Sequence, residues 1–233
     1  IFEKLKSNII DPNDLKVVCS FYRMEMLFIV NSKYRINTIK QLINLIGRKA
    51  NVGESIKLGV LDNKHSSYYD AKKVFNSFGI SEETNGINIE YVKNMKELFF
   101  KFDDDNYSED ETNNVFDIIF LTTTSKNKFL TEYLKKNFVN IIGVSTKNDS
   151  ILKSNFDCIF KQRVKLEKYN RITQDNNDLF SYTDSDLFGK NLDIKTYSTR
   201  LFLVTNSNMP NNLIYNLLEK IYKNRIKLKE NMD

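Results

Sequence analysis

Histidine occurs once in this chain, tryptophan not at all, and proline and cysteine twice each. The single histidine, His65, excludes most zinc chemistry, since such a site draws several Cys or His ligands at short spacing. It also leaves a Ser-His-Asp or Cys-His arrangement with one candidate base and no nucleophile phrase to go with it. No Gly-x-Ser-x-Gly, no phosphate-binding P-loop and no dinucleotide glycine fingerprint occurs. No stretch approaches the ~18 apolar residues that cross a bilayer. The basic excess is mild at +5, and lysines and arginines are scattered. A run such as Lys223 to Lys229 lies on an amphipathic helical pattern and reads as a solvated face, so no nucleic-acid partner is expected. Abundant Ile, Asn and Lys beside scarce Pro and absent Trp suggest an AT-rich genome.

What remains is the pattern of an α/β protein. Apolar, β-branched segments at 15–22, 26–30, 56–61, 87–92, 116–121, 140–145, 157–161 and 196–205 read as strands. Helical periodicity is found from Thr38 to about Gly47, over 67–78 to Gly79, and over 95–102, 129–137, 148–155 and 213–228. Alternation of this kind predicts mostly parallel sheets flanked by helices. Residues 165–192 are polar and irregular. Asp103, Asp104, Asp105, Glu109, Asp110 and Glu111 form an acidic insertion that lacks the calcium-loop spacing and its turn glycine. Cys19 and Cys158 stand in apolar, strand-like contexts; buried free thiols are the first reading and one disulfide the alternative. Asn148-Asp149-Ser150 fits the glycosylation pattern, which is common by chance. Ile1 with no signal-like stretch after it reads as the start of a mature product or an excised fragment.

Two places draw attention. Strand 56–61 runs through Asn63-Lys64-His65-Ser66-Ser67 into a helix, and strand 116–121 runs through Thr122-Thr123-Thr124-Ser125-Lys126-Asn127 into another. A loop of this kind offers backbone N–H groups and hydroxyls at the positive end of a helix dipole, where an anion or polar solute is favoured. Ser66 and Ser67 stand where an N-cap belongs, a role worth ~1 kcal/mol by itself. Capping uses one hydroxyl of the Thr122–Ser125 group and leaves three. His65 is a lone loop histidine, inert or able to sense pH.

The order of segments resembles the solute receptors of TRAP-type transporters in the TAXI family. The resemblance rests on Leu15-Lys16-Val17-Val18-Cys19-Ser20-Phe21-Tyr22, Leu27-Phe28-Ile29-Val30, and Ile36-Asn37-Thr38-Ile39-Lys40-Gln41-Leu42. It continues through Tyr69-Asp70-Ala71-Lys72-Lys73-Val74 and Phe116-Asp117-Ile118-Ile119-Phe120. It closes on Thr196-Tyr197-Ser198-Thr199-Arg200-Leu201-Phe202-Leu203-Val204-Thr205 and Met209-Pro210-Asn211-Asn212-Leu213-Ile214-Tyr215. It implies a two-lobed, type II periplasmic-binding-protein-like fold. Residues 1–48 would form part of the first lobe and a crossover, 49–146 the second lobe, and 147–233 the return crossover and the rest of the first. The family's opening strand and helix would precede Ile1, and its closing segment would follow Asp233. Where the family has Gly-Ser-Gly in the first binding loop, this chain has Lys64-His65-Ser66, which lacks the freedom of glycine.

The function so implied is transport-linked binding of an amino acid or dicarboxylate-like anion in an interlobe cleft, not catalysis, with no cofactor and no metal. The expected ligand-binding residues are Tyr22, Ser66, Ser67, Thr123, Thr124, Ser125 and Arg200, the last able to pair with a carboxylate. A working receptor would be periplasmic or extracytoplasmic and would meet a membrane transporter. The alternative is a structural or interaction protein with a degenerate binding-protein fold, part of a viral or parasite assembly in a virion or cytoplasm.

Overall fold

The computed structural model describes residues 12–102, 115–124, 127, 129–130, 132–133, 139–145, 150–156, 159–165 and 193–225. The chain divides into two units, one of Ile1–Met24 with Arg200–Asp233 and one of Glu25–Thr199. Its strands are β1 (Leu15–Asn31), β2 (Ile56–Leu61), β3 (Ile87–Val92), β4 (Ile118–Thr123), β5 (Val139–Gly143), β6 (Phe160–Lys165) and β7 (Asp193–Asn206). Its helices are α1 (Ile39–Asn51), α2 (Ser66–Ser77), α3 (Met95–Phe102), α4 (Ser150–Ser154) and α5 (Asn211–Lys223).

The strand order is β3-β2-β4-β1-β7-β6, with β5 also on β1. β2 is parallel to β3 and β4, whereas β1 is antiparallel to β4 and β5, and β6 to β7. The sheet is therefore mixed, which corrects the expectation of a mostly parallel one. The alternation of strand and helix does not reveal the direction of β1. α1 leaves and rejoins the sheet at one edge, so β1 runs opposite to β2. A second correction concerns β1 itself, read as two strands and observed as one of 17 residues. Arg23 and Glu25 interrupt the apolar pattern, but ladder pairing is made by the backbone and continues through them. β1 and β7 each contribute to both units.

In the larger unit both faces of the sheet are covered, which explains the continuous apolar strands. Met26, Phe28, Val30, Leu58, Val60, Ile118 and Phe120 meet α1 and α2 through Leu42, Ile46, Ala71, Val74 and Phe75. Leu27, Ile29, Leu61, Ile119 and Leu121 meet α3 through Leu98, Phe99 and Phe102, with Leu130 beside them. This is the period of two along a strand. Phe28, Phe75 and Phe120 pack at centroid separations of 5.1 to 6.0 Å. Burying each such ring contributes about 1.5–3 kcal/mol. The β2 backbone comes so close to its neighbours at Gly59 that an added Cβ would stand 2.5 Å from Phe116 Cδ2.

Local signals set most element ends. Thr38 caps α1, its hydroxyl accepting from Gln41 N at 3.3 Å, while Gln41 Oε1 accepts from Asn37 N at 2.8 Å. Gly47 does not stop α1, because an exposed glycine can stay helical; the helix runs to Asn51 and Gly53 takes the left-handed turn at φ 71°. Gly79, at φ 69°, follows α2. At the edge where β4 begins, Asp117 accepts from the Tyr34 hydroxyl and, at 2.9 Å, from Lys57 N, with Lys33 Nζ 3.0 Å away. β4 begins and ends two residues later than the sequence suggests, since 116 and 117 are the approach to the strand. Cys19 is a half-buried free thiol. The acidic insertion, Cys158, the 166–192 stretch, Ser125 and Asn148-Asp149 lie outside the described residues.

Candidate functional site

β2 is flanked by β3 on one side and β4 on the other, so the chain reverses its winding direction at the β2–β4 pair. In open α/β sheets such a switch point brings two strand-to-helix loops together at the carboxyl ends of adjacent strands, where ligands bind. Here those loops are the two singled out by sequence.

The loop after β2 is fixed by Asp62. Its amide donates to Val92 O at 2.8 Å, its Oδ1 accepts from Lys64 N at 3.1 Å, and its carbonyl accepts from His65 N at 3.0 Å. This carboxylate escaped sequence reasoning, although an Asp two residues before a polar turn is the usual signal for an Asx turn. The N-cap of α2 is His65, not Ser66 or Ser67, and it makes no side-chain cap bond. Its Nε2 lies 3.0 Å from Lys93 O. A carbonyl only accepts, so Nε2 carries the proton, and the ring ties this loop to the one after β3. Ser66 opens α2 and is exposed; Ser67 follows and is buried.

The decisive contact joins the two loops. Ser67 Oγ accepts from Thr122 N at 3.0 Å, in a buried position. Pairing of β2 with β4 is at Leu58–Ile118 and Gly59–Ile119. Farther along β4, the serine hydroxyl stands in for a strand neighbour. Thr122 and Thr123 are buried, and Thr124 is half-buried. Thr122 shares the sheet face of Ile118 and Phe120, which α2 covers. Among the described residues its buried hydroxyl oxygen meets no hydrogen-bond partner, a condition that costs about 1–3 kcal/mol. The hydroxyl of Thr122 is thus an unsatisfied polar group beside the first turn of α2.

None of the threonines caps the helical turn after β4. Asn127 does, its Oδ1 accepting from Leu130 N at 3.0 Å while its amide donates to Thr124 O at 3.2 Å. On the other face, Thr123 is level with Glu25 of β1, and Glu25 is 6% exposed. The sequence signal for Glu25 was a carboxylate flanked by Met24 and Met26, two residues after Arg23, at the edge of an apolar run. Ser66, Ser67, Thr123 and Thr124 thus gather at the carboxyl ends of β2 and β4. Tyr22 and Arg200 belong to the other unit, half-buried on β1 and β7.

No family model and no curated protein matches the chain.

Among the described residues no three of His, Cys, Asp or Glu are grouped to hold a metal, and no helix is long and apolar enough to cross a membrane.

Proposed function

We propose that the chain binds a small anionic or zwitterionic solute at the carboxyl ends of β2 and β4, as a solute receptor of the kind its sequence resembles. The observation that carries the reading is the buried Thr122 hydroxyl beside the first turn of α2, which meets no partner among the described residues. Ser66 and Thr124 add hydroxyls at the same end of the sheet, Thr123 stands on its other face, and Ser125 is next in sequence. The positive end of the α2 dipole favours the ligand's carboxylate. A finer architecture, type II periplasmic-binding-protein-like, is proposed on the division into two units that share β1 and β7.

The test is a thermal-shift screen of the whole chain against amino acids, dicarboxylates and inorganic anions. A ligand at 100 times its Kd adds ~2.7 kcal/mol to stability. We expect a shift with at least one ligand and its loss in Thr122→Val, a variant that keeps side-chain shape. A complete absence of shifts would refute the reading.

One observation favours a second reading, an interaction protein. Among the described residues of the smaller unit no side chain is fully buried, and α5 exposes Leu213, Tyr215, Leu217 and Tyr222. Apolar surface left this open marks a contact face. Light scattering across a concentration series, with Leu213→Glu as control, tests this: concentration-dependent growth in mass that the variant abolishes is expected.

A further inference from the structure

α2 begins without the side-chain acceptor that a helix start calls for. Its N-cap, His65, has the extended backbone of a capping residue at φ −109° and ψ 144°, yet makes no side-chain cap bond. The ring is engaged elsewhere, with Nε2 3.0 Å from Lys93 O. Tyr68 N donates to His65 O at 3.2 Å. The amides of Ser66 and Ser67 meet no acceptor among the described residues, and Ser67 is 3% exposed. α1 shows what is withheld: Thr38, also an extended N-cap, accepts from Gln41 N. α5 starts without a side-chain cap too, but its first residues Asn211, Asn212 and Leu213 are exposed, where solvent can supply the acceptor. The second sign is Thr122. It is 7% exposed, its amide is held by Ser67 Oγ, and its own hydroxyl meets no partner among the described residues. Two free amides and an unsatisfied hydroxyl thus belong to elements that touch at Ser67.

We propose that α2 is left uncapped for the ligand: a carboxylate of the bound solute takes the place of the N-cap side chain on the Ser66 and Ser67 amides, and His65 positions the loop without competing for them. This rests on the solute-binding reading above and narrows its ligand to a carboxylate. An N-cap oxygen ordinarily accepts from the amide of the second or third helical residue, and Ser67 is the second in α2. A ligand carboxylate offers the same acceptor that a capping Asp would. The helix dipole adds about half a unit of positive charge there, which balances one carboxylate better than a phosphate dianion. Asp62, the loop's own carboxylate, makes its bond to Lys64 N and none to the first turn of α2. The Lys64 side chain is exposed next to His65 and adds charge of the favourable sign.

Two variants at position 65 test this by titration calorimetry on the whole chain. The probes are the amino acids and dicarboxylates of the screen, L-alanine, L-glutamate and glutarate among them. Asn is a strong, neutral N-cap and Ala a poor one, so a difference between them does not come from charge. We expect His65→Asn to weaken the carboxylate probes at least tenfold and His65→Ala less than threefold. Without ligand, His65→Asn should have the higher urea midpoint of the two. That lead should shrink when a probe saturates His65→Ala, because the ligand then supplies the cap. Equal weakening by both variants, or equal midpoints without ligand, overturns the inference and leaves the solute-binding reading standing. So does a screen in which only ligands lacking a carboxylate bind. Binding of no ligand at all overturns both.

Discussion

The Ser67–Thr122 contact predicts opposite outcomes for two adjacent, conservative changes. Ser67 is 3% exposed, and its hydroxyl is the acceptor for the Thr122 amide at 3.0 Å. Ser67→Ala leaves that buried N–H unsatisfied, at a cost of about 1–3 kcal/mol. Alanine's better helix propensity in the first turn of α2 returns up to ~0.5 kcal/mol, so a net loss of about 1–2 kcal/mol is expected. Thr122→Val removes a buried hydroxyl that meets no partner among the described residues. It leaves the amide in place and nearly conserves volume, so the expected effect is a gain of up to ~1–2 kcal/mol. Urea unfolding reads both changes, with the midpoint moving down for Ser67→Ala and up for Thr122→Val at unchanged m-value. The two act on different atoms, one on an amide acceptor and the other on a hydroxyl. The double variant should therefore be additive within about 0.5 kcal/mol even though the residues touch. A loss of more than about 1 kcal/mol in Thr122→Val would refute the reasoning, because it would mean that the hydroxyl has a partner. The same variant is expected to abolish ligand binding, so a gain in stability with loss of function would mark Thr122 as a residue kept for the site.

Three further outcomes follow from the packing and charge around the sheet. Gly59→Ala places a Cβ 2.5 Å from Phe116 Cδ2 and 2.9 Å from Leu98 Cδ1, and overpacking of this kind costs about 1–3 kcal/mol, measurable as a lowered urea midpoint. Asp117→Ala removes the acceptor of both Lys57 N and the Tyr34 hydroxyl, a loss of about 2–3 kcal/mol; Asp117→Asn should lose roughly half of that, and the Lys33 pair, half exposed, adds little. Burial, and then the 2.7 Å bond to Glu82, raise the Tyr91 phenol above its ordinary value. Its folded pKa is raised, so its contribution is complete below the unfolded value of about 10 and is lost as pH rises past it. Stability measured from pH 8 to 11 should fall at the top of the range, and Tyr91→Phe should remove that part of the fall.

The amino-acid sequence determined the local elements and the two loops. Thr38 before an apolar period announces α1, Gly79 announces the end of α2, and β2, β3 and α3 begin and end where apolar runs meet turn residues. These are short-range effects of backbone conformation and side-chain spacing, and they act within a few residues. Everything that makes the loops a candidate site is long-range. Only the tertiary structure decided that β1 runs antiparallel beside β4, because strand direction depends on how α1 returns the chain. That direction brings Glu25 level with Thr123, 98 residues away in sequence. The strand order puts the Ser67 hydroxyl on the Thr122 amide across 55 residues. In a string of letters one threonine of Thr122-Thr123-Thr124 looks like another. Their burial and partners differ because the pleat turns successive side chains to opposite faces, one covered by α2 and the other ending at Glu25.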